Sequence, residues 1–84
     1  MSHLQAALQD REIVNAQTAR QFHLNAINHL QKALASHREA VDSHDQGDFA
    51  KAAQNATQAQ VHLSNASTQT ASATKHYWEQ MSYK

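Results

Sequence analysis

A single glycine, Gly47, interrupts a chain of 84 residues that contains no proline. Almost everything on either side favours helix. The stretch Asp42-Ser43-His44-Asp45-Gln46-Gly47-Asp48-Phe49 therefore reads as a helix stop followed by a helix start. Glycine takes the left-handed position after a helix C-terminus without steric cost, and Asp48 is suited to capping the helix that follows. The expected architecture is all-α. It is an antiparallel two-helix hairpin in a single domain, with helices over about 3–45 and 49–81 and a turn at 46–48.

Two such helices need something to hold them. Hydrophobic residues make up 40% of the chain, but alanine supplies nearly half of them, so a monomer would bury little area. The 7 basic and 7 acidic residues cancel, which leaves no basic footprint for nucleic acid and no polybasic membrane anchor. Cysteine is absent, which removes disulfides, thiolate metal sites and cysteine nucleophiles. No apolar run suffices for a membrane span or a signal-peptide core. The composition fits a cytoplasmic chain as written, or a periplasmic one if a leader has been removed.

Two stripes run along the first helix. One keeps a 3-4 spacing through Ile13, Ala16, Arg20, His23, Ile27, Leu30, Leu34, His37, Val41 and His44, as a helix packing along another requires. The other, Leu4, Leu8, Phe22, Ala26, Ala33 and Ala40, is rotated from it by roughly 100°. On the second helix the seam reads Phe49, Ala52, Ala56, Ala59, Leu63, Ala66, Thr70, Ala73 and Tyr77. Alanine recurs every seventh residue at 52, 59, 66 and 73, and also at 19, 26, 33 and 40. Small residues on a seam let helices approach closely. Folding at Gly47 sets Val41 opposite Ala52, Leu34 opposite Ala59, Leu30 opposite Leu63 and Ala16 opposite Tyr77. The first stripe is thus expected to meet the second helix. The second stripe (Leu4, Leu8, Phe22, Ala26, Ala33) is expected to meet another copy, giving a dimeric four-helix bundle, or a helical protein partner. The alternative is a three-helix bundle with a break near Asp10. The Ser/Thr/Asn-rich segment 64–74 is a poor helix former, either soft helix or frayed. The aromatic end, Tyr77, Trp78, Met81 and Tyr83, is expected to pack beside Leu4, Leu8 and Ile13.

Seven histidines exceed the roughly two that ordinary usage gives a chain this long. His3 would chelate Cu(II) or Ni(II) with a free amino terminus, but Ser2 favours removal of Met1, which destroys that chelate. His23, His37 and His44 share one seam position, where polar residues commonly fix register. The competing chemistry is ligation of Cu, Ni or Zn, which imidazole suits. No His-x-x-x-His occurs, and seven residues span roughly 10 Å of helix, so a site must cross between helices or enlist carboxylates. His44, Asp45 and Asp48 at the turn form the densest group, and ordinary turn and cap chemistry accounts for them equally.

The segments Ala26-Ile-Asn-His29-Leu30-Gln-Lys-Ala33 and Ala59-Gln-Val-His62-Leu63-Ser-Asn-Ala66 share the pattern A-x-x-H-L-x-x-A. Over about 26–66 the chain resembles the small metal-binding protein family, His-rich helical proteins with Ala/His heptad repeats. The resemblance implies a periplasmic protein binding several divalent metals and copper at modest affinity. Residue by residue it carries over only to His29 and His62; Asn55 stands where the repeat would place a histidine. The metal candidates are then His29, His37, His44, Asp45, Asp48 and His62. Gln46-Gly47-Asp48-Phe49-Ala50-Lys51-Ala52 is similar to tetratricopeptide helix pairs, but one hairpin is not an array. His29-Leu30-Gln31-Lys32-Ala33 resembles the H-x-x-K-G run of histidine phosphotransfer domains, with Ala33 in place of the glycine.

No nucleophile–base pair, paired-carboxylate motif or phosphate-cradling glycine loop is visible. The expected function is a non-enzymatic helical interaction module that self-associates or binds a helical partner. Low-affinity binding of a divalent transition metal is the alternative, and a phosphotransfer-like module the third reading.

Overall fold

The computed structural model describes the backbone over 2–82 and the side chains over 18–82. It is all-helical: α1 (Ser2–Asp45) and α2 (Phe49–Ser82) pack against each other as an antiparallel hairpin. Neither run contains proline, and the one glycine falls between them. α1 continues through Asp10 without a break, so the three-helix alternative does not hold. Asp10-Arg11-Glu12 contains nothing to interrupt a helix. The Ser/Thr-rich segment 64–74 is helical throughout. Its hydroxyls take part: Thr68, Thr70 and Thr74 each donate to the carbonyl four residues back, at 3.0–3.1 Å.

The turn is a Schellman motif built on Gly47, whose φ is 79°. The Asp48 amide donates to the Ser43 carbonyl and the Gly47 amide to the His44 carbonyl, both at 2.9 Å. Asp48 then caps α2, its Oδ1 accepting from the Lys51 amide at 3.1 Å. A Cβ at position 47 would meet nothing within 4 Å. The cost of a substitution there is therefore backbone alone, about 1–2 kcal/mol for a left-handed L-residue. Gly47→Val should lower the melting temperature by roughly 5–10 °C, read by circular dichroism. An unchanged melt would show that the turn does not need the left-handed conformation.

The inner seam consists of the alanine heptads of both helices. Ala19, Ala26 and Ala33 of α1 and Ala59, Ala66 and Ala73 of α2 are buried, and they are the only buried hydrophobic side chains among the described residues. The second residue of each heptad stands three after the alanine. In α1 these are Phe22, His29, Ser36 and Ser43; in α2, Asn55, His62, Gln69 and His76; all are buried or half-buried. Polar pairs cross the interface there. Asn55 Nδ2 donates to Ser43 Oγ at 3.3 Å, and Asn25 Nδ2 donates to Gln69 Oε1 at 3.3 Å.

This reverses the expected roles of the two stripes. Ile27, Leu30, Leu34 and Val41 do not form the buried seam; they lie about half exposed at its outer edge, where Val41 lines a groove with Ala52 of α2. Ala26 and Ala33, expected to meet another copy, are buried within the hairpin, and Phe22 is half-buried beside them. The expected level of the pairing is kept only in part: His29 meets His62 and His44 meets Phe49 within two positions of it, whereas Asn55 bonds Ser43 and Tyr77 meets His23, five and seven residues from where it placed them. The rotation differs: α1 is turned by roughly 100° and α2 by about half that. The physical reason is that two small-residue seams in register allow close backbone approach along the whole length, which a ridge of leucines on one helix would prevent. Leu4, Leu8, Ile13, Ala16 and Tyr83, also assigned to packing, have side chains outside the described residues. Trp78 is 65% exposed, so its expected packing role is not seen.

The charges are unevenly placed. No carboxylate lies between Glu12 and Glu39 or between Asp48 and Glu79, and α2 has no Asp, Glu, Lys or Arg between Lys51 and Lys75.

Candidate functional site

Two surfaces flank the inner seam. One is polar, with Asn25, Lys32 and Glu39 on α1 and Lys51, Gln58 and Asn65 on α2. The other carries the large side chains: Ile27, Leu30, Leu34 and Val41 on α1, with Phe49, Leu63 and Tyr77 on α2. The two helices touch along this outer face where it is lined by aromatic rings. His23 Nε2 and the Tyr77 hydroxyl are 3.1 Å apart, and His44 meets the edge of Phe49 with ring centres at 5.3 Å. Between these contacts, the aliphatic ridge of α1 has only Leu63 as a counterpart of similar size on the outer face of α2.

The six metal candidates are not gathered together. His29 and His62 meet across the interface, with ring centres 6.2 Å apart and planes at 27°. Their Nδ1 atoms are buried and have no hydrogen-bond partner. An unmade hydrogen bond at a buried polar atom costs about 1–3 kcal/mol, so each of these two atoms carries a polar cost in the hairpin. His37, His44 and Asp45 line a shallow groove with Ala40, Val41 and Ala52. The His44–Asp45 approach there is long, 3.9 Å, between two well-exposed groups. Asp48 is engaged in capping α2. Among the described residues no group of three or more His, Asp or Glu is placed to hold one metal ion.

The His29 ring turns inward against His62, and the residue is half-buried. Asn55, the departure from the Ala/His repeat, occupies the same heptad position as His62 and is buried against Ser43.

The inner polar layer of Ser43, Asn55 and Gln69 did not emerge from the sequence pattern. A signal existed: each of these residues stands three after, or three before, a heptad alanine. Reading the alanines with their i+3 neighbours, rather than with i+4, finds all of them.

Among the described residues no helix is long and apolar enough to cross a membrane. No protein family, curated protein or solved structure matches the chain.

Proposed function

We propose that the protein is a non-enzymatic helical interaction module that works by self-association, two hairpins joining through their outer apolar faces into a four-helix bundle. One observation carries this reading. Among the described residues the buried hydrophobic side chains are all alanine, while Ile27, Leu30, Leu34, Val41 and Leu63 stand outside. The dimensions agree. The radius of gyration is 19.4 Å, against about 12 Å for a compact domain of this length. The accessible surface of 6629 Å² exceeds the roughly 5,000 Å² of a compact chain of this mass. The excess is about twice the ~800 Å² that each partner contributes to a standard interface. Sedimentation over a wide concentration range should give a dimer that dissociates on dilution, with a melting temperature that rises with concentration. A concentration-independent monomer would refute the reading.

The His29–His62 pair supports a second reading, binding of a divalent transition metal between the helices. Two imidazoles sharing one ion, with bonds of about 2.0 Å and about 1.1 Å from nitrogen to ring centre, stand about 5 Å apart at a tetrahedral angle and about 6 Å apart when the two bonds are in line. The observed separation is 6.2 Å. Zn(II), Ni(II) or copper in excess should raise the melting temperature, by the equivalent of about 2.7 kcal/mol at one hundred times Kd. His62→Gln should abolish that rise and His44→Gln should leave it. A melt indifferent to all three metals would remove this reading.

A further inference from the structure

The outer face has more order than an apolar patch requires, and that order says how a second copy sits on it. Along α1 the exposed positions 20, 23, 27, 30, 34, 37, 41 and 44 keep strict 3-4 spacing. This is a second complete heptad seam, turned roughly 100° from the alanine seam. The outer face of α2 has large residues only at every fourteenth position, at Phe49, Leu63 and Tyr77. α1 is therefore the helix with two working seams. One is filled by α2. We propose that the other is filled by α1 of a second copy, packed antiparallel, with the two-fold axis between Leu30 and Leu34. This rests on the self-association just proposed and names its geometry.

Three registers related by one heptad keep the seams interlocked, and charge and size separate them. With the axis between Leu30 and Leu34, each Leu30 meets the Leu34 of the other copy at the centre. Ile27 comes level with His37 and Val41 with His23. At both ends Arg20 comes beside the exposed Asp45 of the other copy, so opposite charges meet twice by symmetry. A slip of one heptad toward the N-terminus sets Arg20 against Arg38, like against like. A slip toward the turn separates the leucines, setting Leu34 against His37, and shortens the overlap. The roughly 100° between the seams suits the near-square section of a four-helix bundle. It also brings the outer faces of the two α2 helices together, with Leu63 near the axis, because Leu63 stands at the level of Leu30.

Single cysteines test this directly, since the chain has none of its own. Gln31 and Lys32 are adjacent, exposed and at the level of the proposed axis, but Gln31 flanks the outer seam and Lys32 lies on the polar flank. Under mild oxidation, Gln31→Cys should form a disulfide-linked dimer at least roughly tenfold faster than Lys32→Cys, because the bond needs Cα atoms within about 7 Å. Arg20→Asp should weaken the dimer, and adding Asp45→Arg should restore it. A dimeric protein in which Lys32→Cys links as fast as Gln31→Cys, or in which the charge swap fails to restore association, would overturn this geometry while leaving self-association standing. A monomer at every concentration would overturn both.

Discussion

Replacing Ala33 and Ala59 by leucine should unfold the hairpin rather than strengthen it. Leucine is the better hydrophobe and as good a helix former, so propensity alone predicts no harm. The harm comes from space. Ala33 is 2% exposed and Ala59 1%, each in the alanine seam of its helix. Three added carbons on either side must push the helices apart or force strained rotamers, at about 1–3 kcal/mol for each substitution. Separation also loosens the polar pairs three residues from each alanine, such as Asn55 with Ser43. The hairpin has little to absorb this, because no large side chain is fully buried anywhere in the described chain. Circular dichroism should show a lower melting temperature for Ala33→Leu alone and a loss of folded helix near room temperature for the double variant. A higher melting temperature would mean that the alanines mark spare room rather than close contact.

On the opposite face, Leu30→Glu with Leu34→Glu should leave the inner seam intact and abolish association. Each leucine is about half exposed in the single chain, so the glutamates can reach solvent there and forfeit only part of each leucine's burial. At the interface the same change removes two apolar side chains per copy, worth about 1.5–3 kcal/mol each when fully buried. It also sets like charges across the two-fold axis. Dissociation should strengthen by at least about 100-fold, which 2.7 kcal/mol already gives. The variant should melt, at any concentration, as the unmodified protein melts when very dilute. Asn28→Glu, on the polar flank one turn away, should change neither quantity. If the leucine variant remained a dimer, the interface would lie elsewhere.

The hairpin was legible in the sequence because its signals are local. One glycine, no proline and an aspartate after the glycine specify the stop, the turn and the start, and each does in the structure what its chemistry suggests. The alanine heptads were equally visible. What did not follow from pattern was the rotation of α1. Seam reading gives weight to large apolar residues, so Ile27, Leu30, Leu34 and Val41 drew the contact toward themselves. In a hairpin held by close approach the weight belongs to the smallest residues, and the polar side chains beside them are tolerated because they pair across the gap. His29 and His62 were singled out by their shared motif and do meet. His37, His44, Asp45 and Asp48 were grouped by nearness in sequence near a turn, which fixes backbone proximity but not a common focus for side chains. Whether the His29–His62 pair holds an ion depends on lone-pair directions that heptad spacing does not encode.

The long carboxylate-free middle has a consequence of its own. Neither helix there relies on an ion pair with the other; contact comes from alanine methyl groups and neutral amides and hydroxyls. At physiological ionic strength charges are screened beyond about 8 Å, so little remains in this region for salt to weaken. In the proposed dimer, the fold of each hairpin and the joining of two hairpins would respond to different solution variables. Added salt would leave the folding of the middle largely untouched and act where Arg20 would meet Asp45, so ionic conditions would tune the proposed assembly without loosening the parts assembled.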